Sequence, residues 1–83
     1  MPLYESLRFT NDLLDAVIDR FGKTGDVMYQ VVDSKHFSVI VEVETSPQFY
    51  GWLCGFGNKA KITQPLAVKK EFQEHVEKIC RLY

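Results

Sequence analysis

The sequence predicts an α+β domain built on a single sheet. Stretches with a period of two, typical of strands, alternate along the chain with stretches in which apolar residues recur every three or four positions, as in helices. Their order is β-α-β-β-α-β, followed by one more helix. The 83 residues suffice for one core and no second lobe, so residues 1–83 are predicted to form a single domain.

The first strand and the first helix meet near Thr10. Residues 3–10 alternate between apolar and polar side chains, and only Glu5 interrupts the inward row, near the fraying end. Thr10-Asn11-Asp12 then offers side-chain oxygens that can cap a helix, and Gly22 can take the left-handed position at which helices end. The apolar residues of this strand and helix are Leu3, Leu7, Phe9, Leu13, Leu14, Val17, Ile18 and Phe21.

The next two strands are predicted to form a hairpin. Residues 23–26 are a cluster of turn formers, and residues 27–33 and 37–45 both have strand patterns. The short segment 34–36 joins them. In the second strand the valines point to one face, while Ile40 and the glutamates point to the other.

The second half of the chain predicts two helices separated by a short strand. Ser46 can cap a helix that Pro47 begins, and Gly57 can end it. Residues 59–63 form the strand, which Pro65 stops. The apolar stripes of the two helices are Phe49, Trp52, Leu53 and Phe56, and then Val68, Phe72, Val76, Ile79 and Tyr83.

This order of elements is that of the ferredoxin-like split βαβ fold, with an additional C-terminal helix. In that fold the first and third strands lie side by side at the centre, and helices cover only one face of the sheet.

The open face of the sheet is predicted to be a protein interface. Residues 27–33 carry apolar side chains on both faces, so one set adds to the open surface in either register. The two possible sets are Tyr29 with Val31 and Met28 with Val32. The residues predicted for the interface are Tyr4, Arg8, Tyr29, Val31, Ile40 and Glu42.

Charge and composition disfavour several partners. The net charge of -1 supplies no field that would attract nucleic acid or anionic lipid, and the open face of the central strand ends with acidic residues rather than the basic, aromatic pattern of RNA readers. No run approaches the ~20 apolar residues that span a bilayer. The two cysteines are far apart, as in reduced proteins, which favours a cytoplasmic location.

No catalytic, cofactor-binding or metal-binding residue is predicted. Asp12, Asp15 and Asp19 are more typical of a solvated helix face than of a cation site. Glu71 and His75 stand one helical turn apart, but no second pair of zinc ligands accompanies them.

Two small residue types in the second predicted helix have structural interpretations. Cys54 lies toward the end of a helix, so burial as a small apolar side chain is favoured over a nucleophilic role. Gly51 and Gly55 share a helical side and are predicted to be packing points at which another backbone can approach.

Residues 46–57, with the sequence SPQFYGWLCGFG, resemble the C-terminal extension (WCX-type) domain of bacterial WYL-domain transcriptional regulators. The resemblance includes the strand before this segment, the strand and closing helix after it, and most of the first strand and helix. Its motif residues are Trp52, Leu53, Gly55, Phe56, Gly57 and Pro65.

The resemblance implies an accessory domain for assembly and effector sensing. It would pack on the WYL sensor domain or on a second copy in a homodimer, and would help to close over an effector. The winged helix-turn-helix and WYL domains of such regulators do not fit in 83 residues, and no catalytic residue or cofactor is implied.

Two alternatives share the predicted fold. One is a free-standing small-molecule-binding module of the ACT type, because fold alone does not decide function. The other is an enzyme similar to acylphosphatase, which needs an Arg-bearing loop where this chain has Thr10-Asn11-Asp12. That loop is short and acidic, so we expect no enzymatic activity.

Overall fold

A four-stranded antiparallel sheet forms the centre of the molecule. The computed structural model describes residues 4–22 and 26–83, so the predictions for Leu3 and for the turn at 23–25 lie outside the described residues. The sheet order is β2-β3-β1-β4, and every neighbouring pair is antiparallel. The strands are β1 (Tyr4–Thr10), β2 (Met28–Val31), β3 (His36–Glu42) and β4 (Ala60–Gln64).

Three helices accompany the sheet, and two short 3-10 turns precede α1 and β4. They are α1 (Leu14–Phe21), α2 (Pro47–Cys54) and α3 (Leu66–Cys80), with the turns at Asn11–Leu13 and Gly57–Lys59. The predicted α+β class, the antiparallel sheet, the central position of the first and third strands and the C-terminal helix are therefore confirmed.

The core lies between one face of the sheet and the helices. On β1 the alternation predicted from the sequence is confirmed, because Leu7 and Phe9 are fully buried, and Glu5 continues the same inward row with no exposed surface. The other buried core residues are Val17, Phe37, Val39, Val41, Phe49, Tyr50, Leu53, Ile62 and Val68.

The predicted cap of α2 is confirmed and that of α1 is wrong. The Ser46 hydroxyl accepts a hydrogen bond from the Phe49 amide at 3.1 Å, and Pro47 occupies the first turn. Thr10 makes no side-chain capping bond; the chain passes through a 3-10 turn before α1 begins at Leu14. Gly22 and Gly57 have positive φ angles of 79° and 63°, which glycine adopts without steric cost.

Helix α3 uses only part of its predicted apolar stripe. Val68 is buried and Phe72 is half-buried, but Ile79 and Tyr83 are exposed. The apolar side chains at the C-terminal end of α3 therefore do not contribute to the core.

The small residues of α2 do not pack as predicted. Cys54 is exposed, because it lies on the side of α2 that faces away from the sheet. A Cβ at Gly51 would have no neighbour within 4 Å, and one at Gly55 would meet only backbone oxygens of its own helix. No other backbone within the described residues approaches either glycine.

Candidate functional site

The open face of the sheet is fixed by the strand register. Tyr4 lies opposite Glu42, and Arg8 lies opposite Ser38, so these residues share a face. Met28 lies opposite Ile40 on the other side of β3 and adds to the same face. Four of the six residues predicted for the interface are therefore brought together: Tyr4, Arg8, Ile40 and Glu42.

Tyr29 and Val31 are on the opposite face, so their predicted place beside Ile40 is wrong. Tyr29 lies opposite the buried Val39, and its hydroxyl donates a hydrogen bond to the carbonyl of Gly22 at the end of α1. Val31 is on that same side but is 88% exposed, because it lies at the edge of the sheet. The apolar content of β2 allowed both registers, and the contact with α1 accompanies the one observed.

One end of the open face is apolar. Tyr4 and Met28 are both more than half exposed, at 53% and 56%, and Ile40 between them on β3 is partly exposed. No helix covers these side chains among the described residues. Large apolar side chains grouped in this way are typical of protein contact surfaces.

The other end of the open face is basic, which sequence reasoning missed. Arg8 on β1 lies opposite Lys61 on β4, and both border a shallow cavity of about 180 Å³ together with His36 and Lys59. The Arg8 Nε atom is buried and has no hydrogen-bond partner among residues 4–22 and 26–83. The sequence alone does not reveal this cluster, because its residues are scattered between positions 8 and 61 and become neighbours only when the strands pair.

Two of the basic groups are held by carboxylates. Lys59 Nζ lies 2.9 Å from Asp12 Oδ2, and His36 Nδ1 lies 2.9 Å from Asp33 Oδ1. The Lys35 amide also donates to Asp33 at 2.8 Å, and this bond and His36 lower the pKa of the Asp33 carboxyl. The free positive charge of this end is therefore carried mainly by Arg8 and Lys61.

The motif around Trp52 is structural. Its ring contacts Phe56 edge-on at 4.9 Å and Phe21 at 5.4 Å, and the Arg20 guanidinium lies 5.4 Å from the ring centroid. Leu53 is buried beside it, and Phe56 is half-buried. The remaining motif residues are Gly55, which ends α2, Gly57 with its positive φ, and Pro65, which precedes α3.

The described residues contain no group of three or more side chains that could hold a metal ion. Asp12 pairs with Lys59, and His75 packs on the ring of Tyr50 at 5.2 Å. Within the described part of the chain, no helix has the length and apolar content to cross a bilayer.

Comparison with known proteins identifies the family of the chain. A search of curated proteins and a search of solved structures found no match. The family model of the WCX domain matches residues 6–80, which include all four strands and all three helices except the first two residues of β1. The chain therefore belongs to the WCX domain family.

Proposed function

We propose that this chain is an accessory regulatory domain of a bacterial WYL-type helix-turn-helix transcriptional regulator. The observation that carries the proposal is the WCX match over residues 6–80. In this role the domain contributes to assembly and to effector sensing while other domains contact the operator.

The proposed assembly surface is the apolar end of the open face. Tyr4, Met28 and Ile40 are contributed by three adjacent strands, so they form one flat surface that a partner can cover. Its proposed partner is the WYL sensor domain of the same regulator or a second copy of this domain.

The proposed role involves no catalysis. Cys54 lies at the C-terminal end of α2 and not at a helix N-terminus, the position at which reactive cysteines are found. Both cysteines are free and exposed, which suits a reducing compartment, and we propose a cytoplasmic location.

We also propose that the domain is a ferredoxin-like fold. Support comes from the central β1 and β3, from the antiparallel pairing throughout, and from the helix that follows each of β1 and β3.

Light scattering at high and low concentration tests the assembly surface. We expect wild type to form concentration-dependent dimers, or to bind the upstream sensor domain added in trans. Ile40→Glu should raise the dissociation constant at least about tenfold, because it places a charge in the apolar contact.

The matched control is Val31→Glu, because Val31 is an apolar residue that is more exposed than Ile40 and lies on the opposite face of the sheet. It should leave association unchanged. A wild type that stays monomeric and does not bind the sensor domain would rule out the interface. Equal effects of Ile40→Glu and Val31→Glu on association would also rule it out.

A further inference from the structure

Three parallel rows of side chains cross the open face of the sheet. Residues that pair across neighbouring strands share a row, and consecutive rows are separated by about 7 Å along the strands. The first row is acidic and aromatic, the middle row is mainly apolar, and the third row is basic. In that order the rows consist of Tyr4 and Glu42, then Met28, Ile40 and Ser6, and then Ser38, Arg8 and Lys61. The apolar row therefore lies between rows of opposite charge.

The acidic and basic groups of this face do not neutralise each other within one molecule. Arg8 lies opposite Ser38, and Ser38 is four residues from Glu42 along β3. The rows of Glu42 and Arg8 are therefore about 13 Å apart. Neither of these two residues forms an ion pair within the part of the chain that the structure describes. Both charges are therefore available to a partner.

The face is complementary to itself about a twofold axis along the middle row. We consider a second copy laid face to face on the first, with its strands running in the opposite direction. Ile40 then meets the partner's Ile40, and the first row of each copy lies over the third row of the other. Glu42 lies over the partner's Ser38, one strand away from the partner's Arg8, and Tyr4 lies over that Arg8. A carboxylate and an aromatic ring both stabilise a guanidinium group.

The other face-to-face arrangement brings like charges together. With the twofold axis parallel to the strands, each row lies over the same row of the second copy. Arg8 is then close to the partner's Arg8, and Glu42 is close to the partner's Glu42. Like charges that face each other are unfavourable at an interface. The charges of the open face therefore select the arrangement with reversed strands.

The open face has the size of a weak interface. The four strands of the sheet are about 19 Å wide, and the seven residues of β1 extend over about 24 Å. A contact of these dimensions is at the low end of the size range of specific protein interfaces, where weak and transient complexes are found. We therefore expect a reversible dimer that depends on protein concentration.

We infer that the partner of the open face is a second copy of this chain, related by a twofold axis along the middle row, with Glu42 of each copy paired to Arg8 of the other. The inference rests on the proposed assembly surface and adds to it the identity of the partner, its orientation and the contact that selects both. The WYL sensor domain then contacts another surface of this domain.

Charge reversal tests the contact by sedimentation equilibrium of the 83-residue chain. We expect wild type to dimerise. Arg8→Glu and Glu42→Arg should each raise the dissociation constant of the dimer at least about tenfold, because each places like charges together at two symmetric contacts. The double variant Arg8→Glu/Glu42→Arg restores opposite charges, so its dissociation constant should return to within about threefold of the wild-type value.

The double variant separates the contact from unfolding and from net charge. It has the same net charge as wild type, and a single variant that had merely lost its fold would not regain affinity when the second charge is reversed. Lys70→Glu, at an exposed position on α3 away from the open face, changes the net charge by as much as Arg8→Glu does. It should leave the dissociation constant unchanged.

Three results would overturn the inference: a dimer that both single variants leave intact, a double variant that does not recover, or an equal effect of Lys70→Glu. Adding the WYL sensor domain in trans distinguishes this failure from failure of the assembly surface. A wild type that stays monomeric but binds the sensor domain, with binding lost in Ile40→Glu, would contradict the second copy and leave the assembly surface in place. A wild type that does neither would overturn both proposals.

Discussion

Trp52 joins three parts of the chain through its ring. It contacts Phe9 from β1, Phe21 from α1 and Phe56 after α2, and each contact has a favourable tilted or edge-on geometry. Its side chain is only partly buried, because one side of its ring is covered by Arg20 and not by further core residues.

Replacing Trp52 with alanine should therefore destabilise the domain by about 3 kcal/mol, the lower part of the range for large aromatic residues. Denaturant unfolding checks this value, and Trp52→Phe, which keeps an aromatic ring, should lose clearly less. A loss below about 1 kcal/mol for the alanine variant would be incompatible with a structural role.

Glu5 makes stability depend on pH in an unusual direction. Burial raises its pKa from 4.5 to about 7 in the folded state, so the folded state binds more protons than the unfolded state between these values. Stability is therefore highest below pH 4.5 for this group and decreases as pH rises through 7.

Between pH 5 and pH 8 we expect the free energy of unfolding of the wild type to decrease by about 2 kcal/mol relative to that of Glu5→Gln. This value is smaller than the full free-energy equivalent of the pKa change. The difference between the two proteins cancels the contributions of the titratable groups that they share. Thermal unfolding at four pH values measures it, and parallel curves for the two proteins would contradict the prediction.

At the scale of elements, the start of α2 was predictable from the sequence because it depends on local chemistry among Ser46, Pro47 and the Phe49 amide. The predicted end at Gly57 is wrong: α2 ends at Cys54 with Gly55 as the capping residue, and Gly57 begins the 3-10 turn before β4. Thr10 had the same capping chemistry but is not used, because the chain leaves β1 through a 3-10 turn whose Asn11 amide bonds the carbonyl of Lys35 in the hairpin.

Removing the α2 cap should cost about 1 kcal/mol. In Ser46→Ala the Phe49 amide loses its acceptor, whereas Ser46→Thr retains a hydroxyl at the same position. Urea unfolding of the two variants compares them, and equal stabilities would show that the Ser46 bond contributes nothing.

Features that depend on pairing between strands distant in the chain could not be predicted from the sequence. The sequence pattern of β2 permits two registers, and the bond from Tyr29 to Gly22 belongs to the one in the structure, in which Met28 and not Tyr29 lies beside Ile40. The basic end of the open face arises only when Arg8 and Lys61 become neighbours. Glu5 was expected to interrupt the inward row of β1 because it is charged, yet its side chain points inward like those of Leu7 and Phe9.

For the whole molecule, charge predicts little affinity for duplex DNA. The net charge is -1, and at the basic end Lys59 and His36 are already paired with carboxylates. A titration with duplex DNA at physiological salt should be flat. Salt-sensitive binding that Arg8→Glu abolishes would show that Arg8 and Lys61 suffice to hold phosphates.

The two edge strands of the sheet determine whether copies of the domain can associate by extending the sheet. One edge strand, β2, has only four residues, and the other, β4, pairs with β1 through an irregular register between Ser6 and Leu7. Short or bulged edges are poor templates for an added strand, and the exposed Lys61 on β4 adds charge against such pairing. Growth of a continuous sheet from one molecule to the next is thereby discouraged, so crowded copies are protected from fibre-like aggregation even though the apolar end of the open face is exposed.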